Sequence, residues 1–136
     1  MKKTLKVMAM LLFVMSMTAL TSCNKEKTNL IVGKWECTTA NYTDEGTTYP
    51  IPEVVGMTWE FKANGDLIAT ASLDGVDNTA TVTYVILGNV LTVTSVDYDG
   101  EIDTEAYDIK ELTKSKLVLE QTDDWDETLV IEFKKI

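Results

Sequence analysis

Gly33-Lys34-Trp35 opens the part of this 136-residue chain that reads as a folded domain. From Trp35 onward, apolar and polar residues alternate with a period of two, in short runs rich in Thr, Val, Ile, Tyr and Trp. Successive side chains leave a strand on opposite faces, so this alternation predicts half-buried β-strands. Eight are expected, over about 34–42, 55–62, 67–73, 79–87, 90–97, 102–111, 116–122 and 127–135. No stretch of the domain carries a helical stripe. Pro50 and Pro52 fall in the one long connection, 43–54, where they interrupt no central strand. A Trp at the head of the first strand is placed to plug one end of a closed sheet.

The turns set the register. Leu87-Gly88-Asn89-Val90 reads as a two-residue hairpin loop, which puts Ile86 opposite Leu91 and Tyr84 opposite Val93. At Ala63-Asn64-Gly65 a three-residue loop with left-handed Gly65 pairs Phe61 with Leu67 and Trp59 with Ala69. A two-residue loop would turn Leu67, Ala69 and Leu73 outward, because one step of slip flips every side chain. The three-residue loop is therefore preferred. With Thr58, Glu60, Lys62, Glu132 and Lys134 on the alternate face, the outside is polar, unlike the apolar band of a membrane barrel. The expected fold is all-β: an eight-stranded antiparallel up-and-down barrel in water, closed at one end by Trp35.

Before the domain comes an address. Lys2, Lys3 and Lys6 precede an apolar run, Val7 to Leu20, that is short for a bilayer span. It ends in Leu20-Thr21-Ser22-Cys23, which resembles the lipobox of bacterial lipoproteins. That resemblance implies a leader over 1–22, a diacylated Cys23 as the new N-terminus and membrane anchoring. An ordinary cleaved signal peptide ending near a Cys ranks below it. Residues 23–29 then form the lipidated Cys and a polar tether, and 30–136 the barrel. Asn24 beside Cys23 implies an outer-membrane address, by resemblance to lipoprotein sorting in other bacteria.

Charge narrows function. Without its leader the chain has nine Lys, no Arg and 22 acids, a net of −13. Nothing clusters to displace counterions from phosphates, which argues against nucleic acid. The absence of His removes the commonest general base and the commonest zinc ligand. No Ser or Cys sits in a nucleophile motif, so no enzyme, cofactor or catalytic residue is expected. With Cys23 acylated, Cys37 has no disulfide partner and reads as a small buried apolar residue.

A G-x-W at the entrance to the first of eight meandering strands resembles the lipocalins. The whole mature chain is similar to the short lipocalin-like lipoproteins of Bacteroidetes-type bacteria. The resemblance implies that Gly33 and Trp35 close the barrel and that a basic side chain from the last strand, usually Arg, crosses the Trp. This chain has no Arg, so Lys135 is the nearest stand-in and Lys134 the second. A Lys lacks the planar stacking fork of Arg.

The meander also sorts the interior into layers. Trp35, Phe61, Leu67, Ile86, Leu91, Ile109, Leu117 and Phe133 form the expected bottom layer. Higher positions become smaller and more polar. A shallow ligand pocket is expected at the open end, lined by Thr39, Asn41, Met57, Trp59, Ala71, Tyr84, Ser95, Glu105, Tyr107 and Gln121. The competing reading is that these side chains fill the barrel or face water. Glu105 is informative, because an inward carboxylate needs a partner or solvent.

Strand direction separates the charges too. Connections at the open end carry Asp44, Glu45, Glu53, Asp74, Asp77, Asp97, Asp99, Glu101, Asp103, Asp123, Asp124, Asp126 and Glu127, and no Lys. Every Lys of the mature chain falls at the other end or in the tether. Lys near a lipid anchor favours anionic head groups, by about 1 kcal/mol each close to the surface, which would point the mouth away from the membrane. An acidic rim favours neutral or cationic ligands. The carboxylates of 97–103 and 123–127 are spaced tightly enough to suggest calcium, but the EF-hand pattern is not met and solvated loops are the preferred reading. Two functions follow. One is a lipid-anchored barrel holding a small hydrophobic, neutral or cationic molecule. The alternative is a filled barrel that offers acidic loops, with Trp125 exposed, to an envelope protein.

Overall fold

Alternating sequence makes the strands, and seven short connections rich in Gly, Asn and Asp turn them back on one another. The computed structural model describes residues 25–136; the leader and Cys23, where the expected lipidation falls, lie outside the described residues. One antiparallel sheet contains β1 (Gly33–Asp44), β2 (Thr47–Pro50), β3 (Thr58–Phe61), β4 (Asp66–Leu73) and β5 (Val76–Leu87), then β6 (Val90–Val96), β7 (Ile102–Leu112), β8 (Lys116–Thr122) and β9 (Thr128–Lys135). β1 pairs with β9 and closes eight strands into a lipocalin-like barrel, leaving β2 outside the ring. The predicted pairs are present: Ile86 with Leu91, Tyr84 with Val93, Phe61 with Leu67, and Trp59 with Ala69. Lys62 N–H donates to Asp66 O at 2.8 Å, so the loop between β3 and β4 has three residues, with Gly65 at φ +97°.

The structure corrects four expectations. First, 43–54 is not one long connection. Glu45 and Gly46 both have positive φ, as do Asp74 and Gly75, so each pair makes the tight turn that matches strand twist. β2 thus folds back on the upper part of β1, Pro50 ends it, and a 3-10 turn (Pro52–Val54) leads to β3 on the same edge. The second turn lengthens β5 to begin at Val76.

Second, β1 contains a bulge. Cys37 pairs with Phe133 but Thr39 pairs with Glu132, leaving Thr38 as an extra residue. The side chains beyond it change faces. Ala40 enters the core, and Thr39 points outward, where its Oγ1 donates to Glu132 Oε2 at 2.7 Å. Third, a shift between Ile109 and Glu111 pairs Ile109 with Leu119 and Leu112 with Leu117, so Ile109 does not share a level with Leu117.

Fourth, residues 25–29 of the expected polar tether are helical and continue through Leu30 and Ile31 as α1. Lys27 and Ile31 lie one turn apart on one face, and that face rests on the barrel floor. Ile31 is fully buried, while Lys27 Nζ donates to Gly88 O at 2.7 Å and to Asn89 Oδ1.

The core fills the closed end and the middle of the barrel. Trp35, Phe61, Leu67, Leu91, Leu117, Leu119 and Phe133 are essentially inaccessible. Each large aliphatic or Phe side chain here contributes roughly 1.5–3 kcal/mol relative to exposure. Trp35 pairs with Trp59 and Gly33 with Phe61, so Trp59 rather than Phe61 lies opposite Trp35. Trp59 meets Phe133, Tyr107 and Phe61 at ring-centroid distances of 5.1, 5.9 and 6.1 Å, and Phe61 meets Tyr84 edge-on at 4.9 Å. These tilted and edge-to-face contacts suit aromatic quadrupoles.

Candidate functional site

The floor of the barrel is built first, because it sets where any ligand can sit. Trp35 Nε1 donates to Ile31 O at 2.7 Å, and Lys135 Nζ donates to Leu30 O at 3.1 Å. Both acceptors are carbonyls at the C-terminal end of α1, which its own ladder leaves open. The same Lys135 ammonium lies 5.0 Å from the Trp35 ring centroid, within cation–π range. Gly33, at φ +133°, leaves room for it: a Cβ there would stand 2.6 Å from Lys135 Cε. Lys135 thus occupies the place over Trp35 where the resemblance put a basic residue. Beside Trp35, Cys37 is a free, buried thiol, pushed up by burial and then by the Glu36 charge.

The ten residues expected to line one cup are dispersed. Trp59, Tyr84 and Tyr107 are packed in the core. Tyr84 directs its hydroxyl down to Lys62 O, 2.6 Å away at the closed end. Thr39 and Asn41 sit on the outer face because of the Thr38 bulge, beside a surface groove shared with Pro50, Pro52 and Val55. Glu105 is exposed and accepts from Tyr107 Oη at 2.6 Å; burial and then this bond push Tyr107 well above the usual tyrosine range. Ser95 is half-buried nearby on β6.

Met57 and Ala71 come together, and Gln121 belongs to a different spot. Met57, Ala69, Ala71, Asn78 and Ala80 line a shallow, mostly apolar depression of about 230 Å³ on the β3–β4–β5 wall. Across the mouth, Tyr42, Ile51, Gln121 and Leu129 line a second depression of about 210 Å³, bounded by Asp123 and Glu127. The two lie on different walls, one on β3, β4 and β5 and the other beside β1, β8 and β9. β5 pairs with β6 only up to Thr83 opposite Thr94, and above that level the β4–β5 and β6–β7 hairpins diverge.

Tyr42 and Ile51 were missed in the sequence. Tyr42 reads as outward unless the bulge is known, and Ile51 reads as part of a loop. Tyr42 is hydrogen-bonded to Glu127, which, with desolvation and nearby carboxylates, pushes its pKa up to about 12.

The rim loops account for two of the remaining carboxylates, Asp97 and Asp123. In Asp97–Glu101 and Asp123–Glu127 the first Asp accepts two backbone amides at 2.9 Å, from Asp99 and Glu101 in one and from Trp125 and Glu127 in the other. Desolvation raises Asp123, but the amides of Glu127 and Trp125 outweigh it and hold its carboxyl below the usual range. Trp125 projects from the second loop with 84% of its surface exposed. With Asp44, Glu45, Gly46, Asp126 and Glu127 it borders an open groove of about 590 Å³ outside the barrel mouth. Among the described residues, no group of three or more Cys, Asp or Glu side chains could hold a metal ion.

This arrangement can hold small molecules at a mouth and display acids beside an aromatic ring. Comparison with known proteins agrees on the class. Residues 31–119 match the model of the lipocalin-like domain family, and the chain belongs to it. It is similar in structure to a lipocalin-like protein from Bacteroides uniformis, with 20% identity, a TM-score of 0.56, and coverage of 79% of this chain and 99% of that one. A second similar structure is an uncharacterized protein from Bacteroides eggerthii, with 18% identity, a TM-score of 0.53, and coverage of 78% and 99%. No curated protein matches the chain in sequence. Identities this low speak to the fold.

Proposed function

We propose that this protein is a bacterial envelope lipoprotein, anchored through acylated Cys23 and directed to the outer membrane, that binds a small apolar molecule, neutral or cationic, at the mouth of its barrel. The anchor rests on Leu20-Thr21-Ser22-Cys23 and the charged, apolar leader before it. Binding rests on one observation: two depressions at the open end, one apolar around Met57 and Ala71, the other bounded by Asp123 and Glu127. Each is smaller than the 300–1,000 Å³ typical of drug-sized ligands, so the occupant is small or spans both. The carboxylates favour a cationic group over an anionic one. Catalysis is not part of the proposal, since the chain has no His and no Ser or Cys in a nucleophile motif.

Native mass spectrometry of the protein extracted from its own host tests this reading. A small adduct is expected on the wild type and not on Ala71→Phe, which fills the apolar depression. Glu127→Gln should weaken a cationic ligand and leave a neutral one. Absence of any adduct, with no candidate ligand altering Trp59 fluorescence in a Trp125→Phe background, rejects it. A second reading, a module that docks an envelope protein through its rim, is favoured by the filled interior and by exposed Trp125 in the acidic groove.

A further inference from the structure

The closed end carries an unusual combination for a polar surface. Lys25, Lys34, Lys114 and Lys134 are all exposed there. Lys62, Lys110 and Lys116, by contrast, are engaged by Glu60, by Glu120, and by Glu111 with Glu132. Among these lysines stand two exposed apolar side chains, Leu87 at 63% and Ile136 at 56%. Leu87 precedes the hairpin that receives Lys27, and Ile136 follows Lys135. Cationic and aliphatic side chains at one level suit a bilayer interface, where ammonium groups meet phosphates and apolar side chains enter the acyl boundary.

Helix α1 fixes the geometry. It is held to the floor by the Lys27 bonds, by Lys135 to Leu30 O and by Trp35 to Ile31 O. Only Asn24 separates Cys23 from the described helix, so an anchor at Cys23 would lie within about 7 Å of Lys25 even with the chain fully extended. At the far end the rim loops carry acids and no Lys, so an anionic surface repels the mouth as it attracts the floor.

We infer that the closed end is a docking surface for an anionic bilayer, with Lys25, Lys34, Lys114 and Lys134 on the head groups, Leu87 and Ile136 at the acyl boundary, and the mouth turned to the aqueous side. The anchor at Cys23 belongs to the proposed function, whereas the docking surface is carried by residues 25–136 themselves.

The test uses the full chain, extracted from membranes and mixed with vesicles of phosphatidylcholine, alone or with phosphatidylglycerol. A fluorophore is placed at the floor (Ser115→Cys) or the rim (Asp124→Cys), and quenching by a nitroxide on the lipid head group is read. In phosphatidylglycerol vesicles at low salt the floor probe should be quenched at least about threefold more than the rim probe. High salt, pure phosphatidylcholine, or Gln at all four lysines should remove the difference. Flotation with pure phosphatidylcholine, but equal quenching at both probes in phosphatidylglycerol vesicles at low salt, overturns the docking surface and leaves the anchor standing. Flotation only with phosphatidylglycerol, the floor still quenched more, supports the docking surface and defeats the anchor. Flotation with neither vesicle overturns both.

Discussion

The two ends of this barrel are made by different physics. At the floor, α1, the start of β1 and the end of β9 meet around buried Ile31 and Trp35, with Gly33 and Lys135 half-buried beside them. At the mouth, each loop is closed by its own backbone, through left-handed turn residues and an Asp that caps two amides. The floor is cooperative, since removing one member unseats the others. The mouth is modular, and a change in one loop has little to transmit. Buried packing concentrates at one end and exposed carboxylates at the other, so each can vary with little cost to its counterpart.

Substitutions can break that contrast. The largest effect is expected from Trp35→Ala, which opens a cavity in the floor and strands Ile31 O; a loss of about 3–5 kcal/mol should appear in urea unfolding. Ala40→Leu should cost about 1–3 kcal/mol by overpacking, whereas Thr39→Leu should cost well under that, because the bulge at Thr38 turns Thr39 outward. Equal costs for the two would mean that β1 has no face change. Gly33→Ala forces a Cβ onto Lys135 at a positive φ, with an expected loss of about 2 kcal/mol. The loss should shrink in a Lys135→Ala background, a coupling that a double-mutant cycle measures. At the mouth, Trp125→Ala should change stability by less than about 0.5 kcal/mol.

Titration sharpens the same contrast. Asp123 is held below its usual value, so its contribution is present above the unfolded pKa near 3.8 and is lost as pH falls through the lower folded value. The amide resonances of Trp125 and Glu127 should therefore move together in acid while those of β1 stay fixed. Tyr42 behaves oppositely. Its folded pKa is raised to about 12, so its bond to Glu127 supports the mouth below the unfolded value near 10 and is lost as pH rises through 12. Simultaneous loss of floor and mouth signals in either titration would refute their independence.

Much of this was legible in the sequence, for reasons that can be traced to residues. Gly88-Asn89 and Gly65 demand specific loop lengths, and those lengths set which residues face inward on β3 through β6. Trp35, Phe61, Leu67, Leu91 and Phe133 therefore face the core as parity predicted, although pairing sets Trp35 opposite Trp59 and Leu67 opposite Val82 rather than level with Phe61 and Ile86. Parity fails where a residue is inserted without a turn signal. Thr38 and Lys110 are ordinary strand residues, and nothing in their types announces a bulge. That is why Thr39 and Asn41 were expected inside and Tyr42 was overlooked. The Glu45-Gly46 and Asp74-Gly75 turns were readable signals, obscured by the prolines after the first and a sparsely apolar β5 start after the second. Seven described helical residues, 25–31, are too few to display a stripe. The divergence of the hairpins above Thr83 depends on where pairing stops, a property of the whole sheet.

The pairing of β1 with β9 bears on how the molecule is made. The first strand of the barrel pairs with the last, and that separation in sequence makes ring closure among the slowest contacts to form. Until then β1 keeps an open edge and α1 lacks the Lys135 bond to Leu30 O. The final nine residues, Thr128 to Ile136, act as the clasp of a bracelet: a chain stopped before them would present two unpaired edges, on β1 and β8, ready to recruit a neighbour's strand.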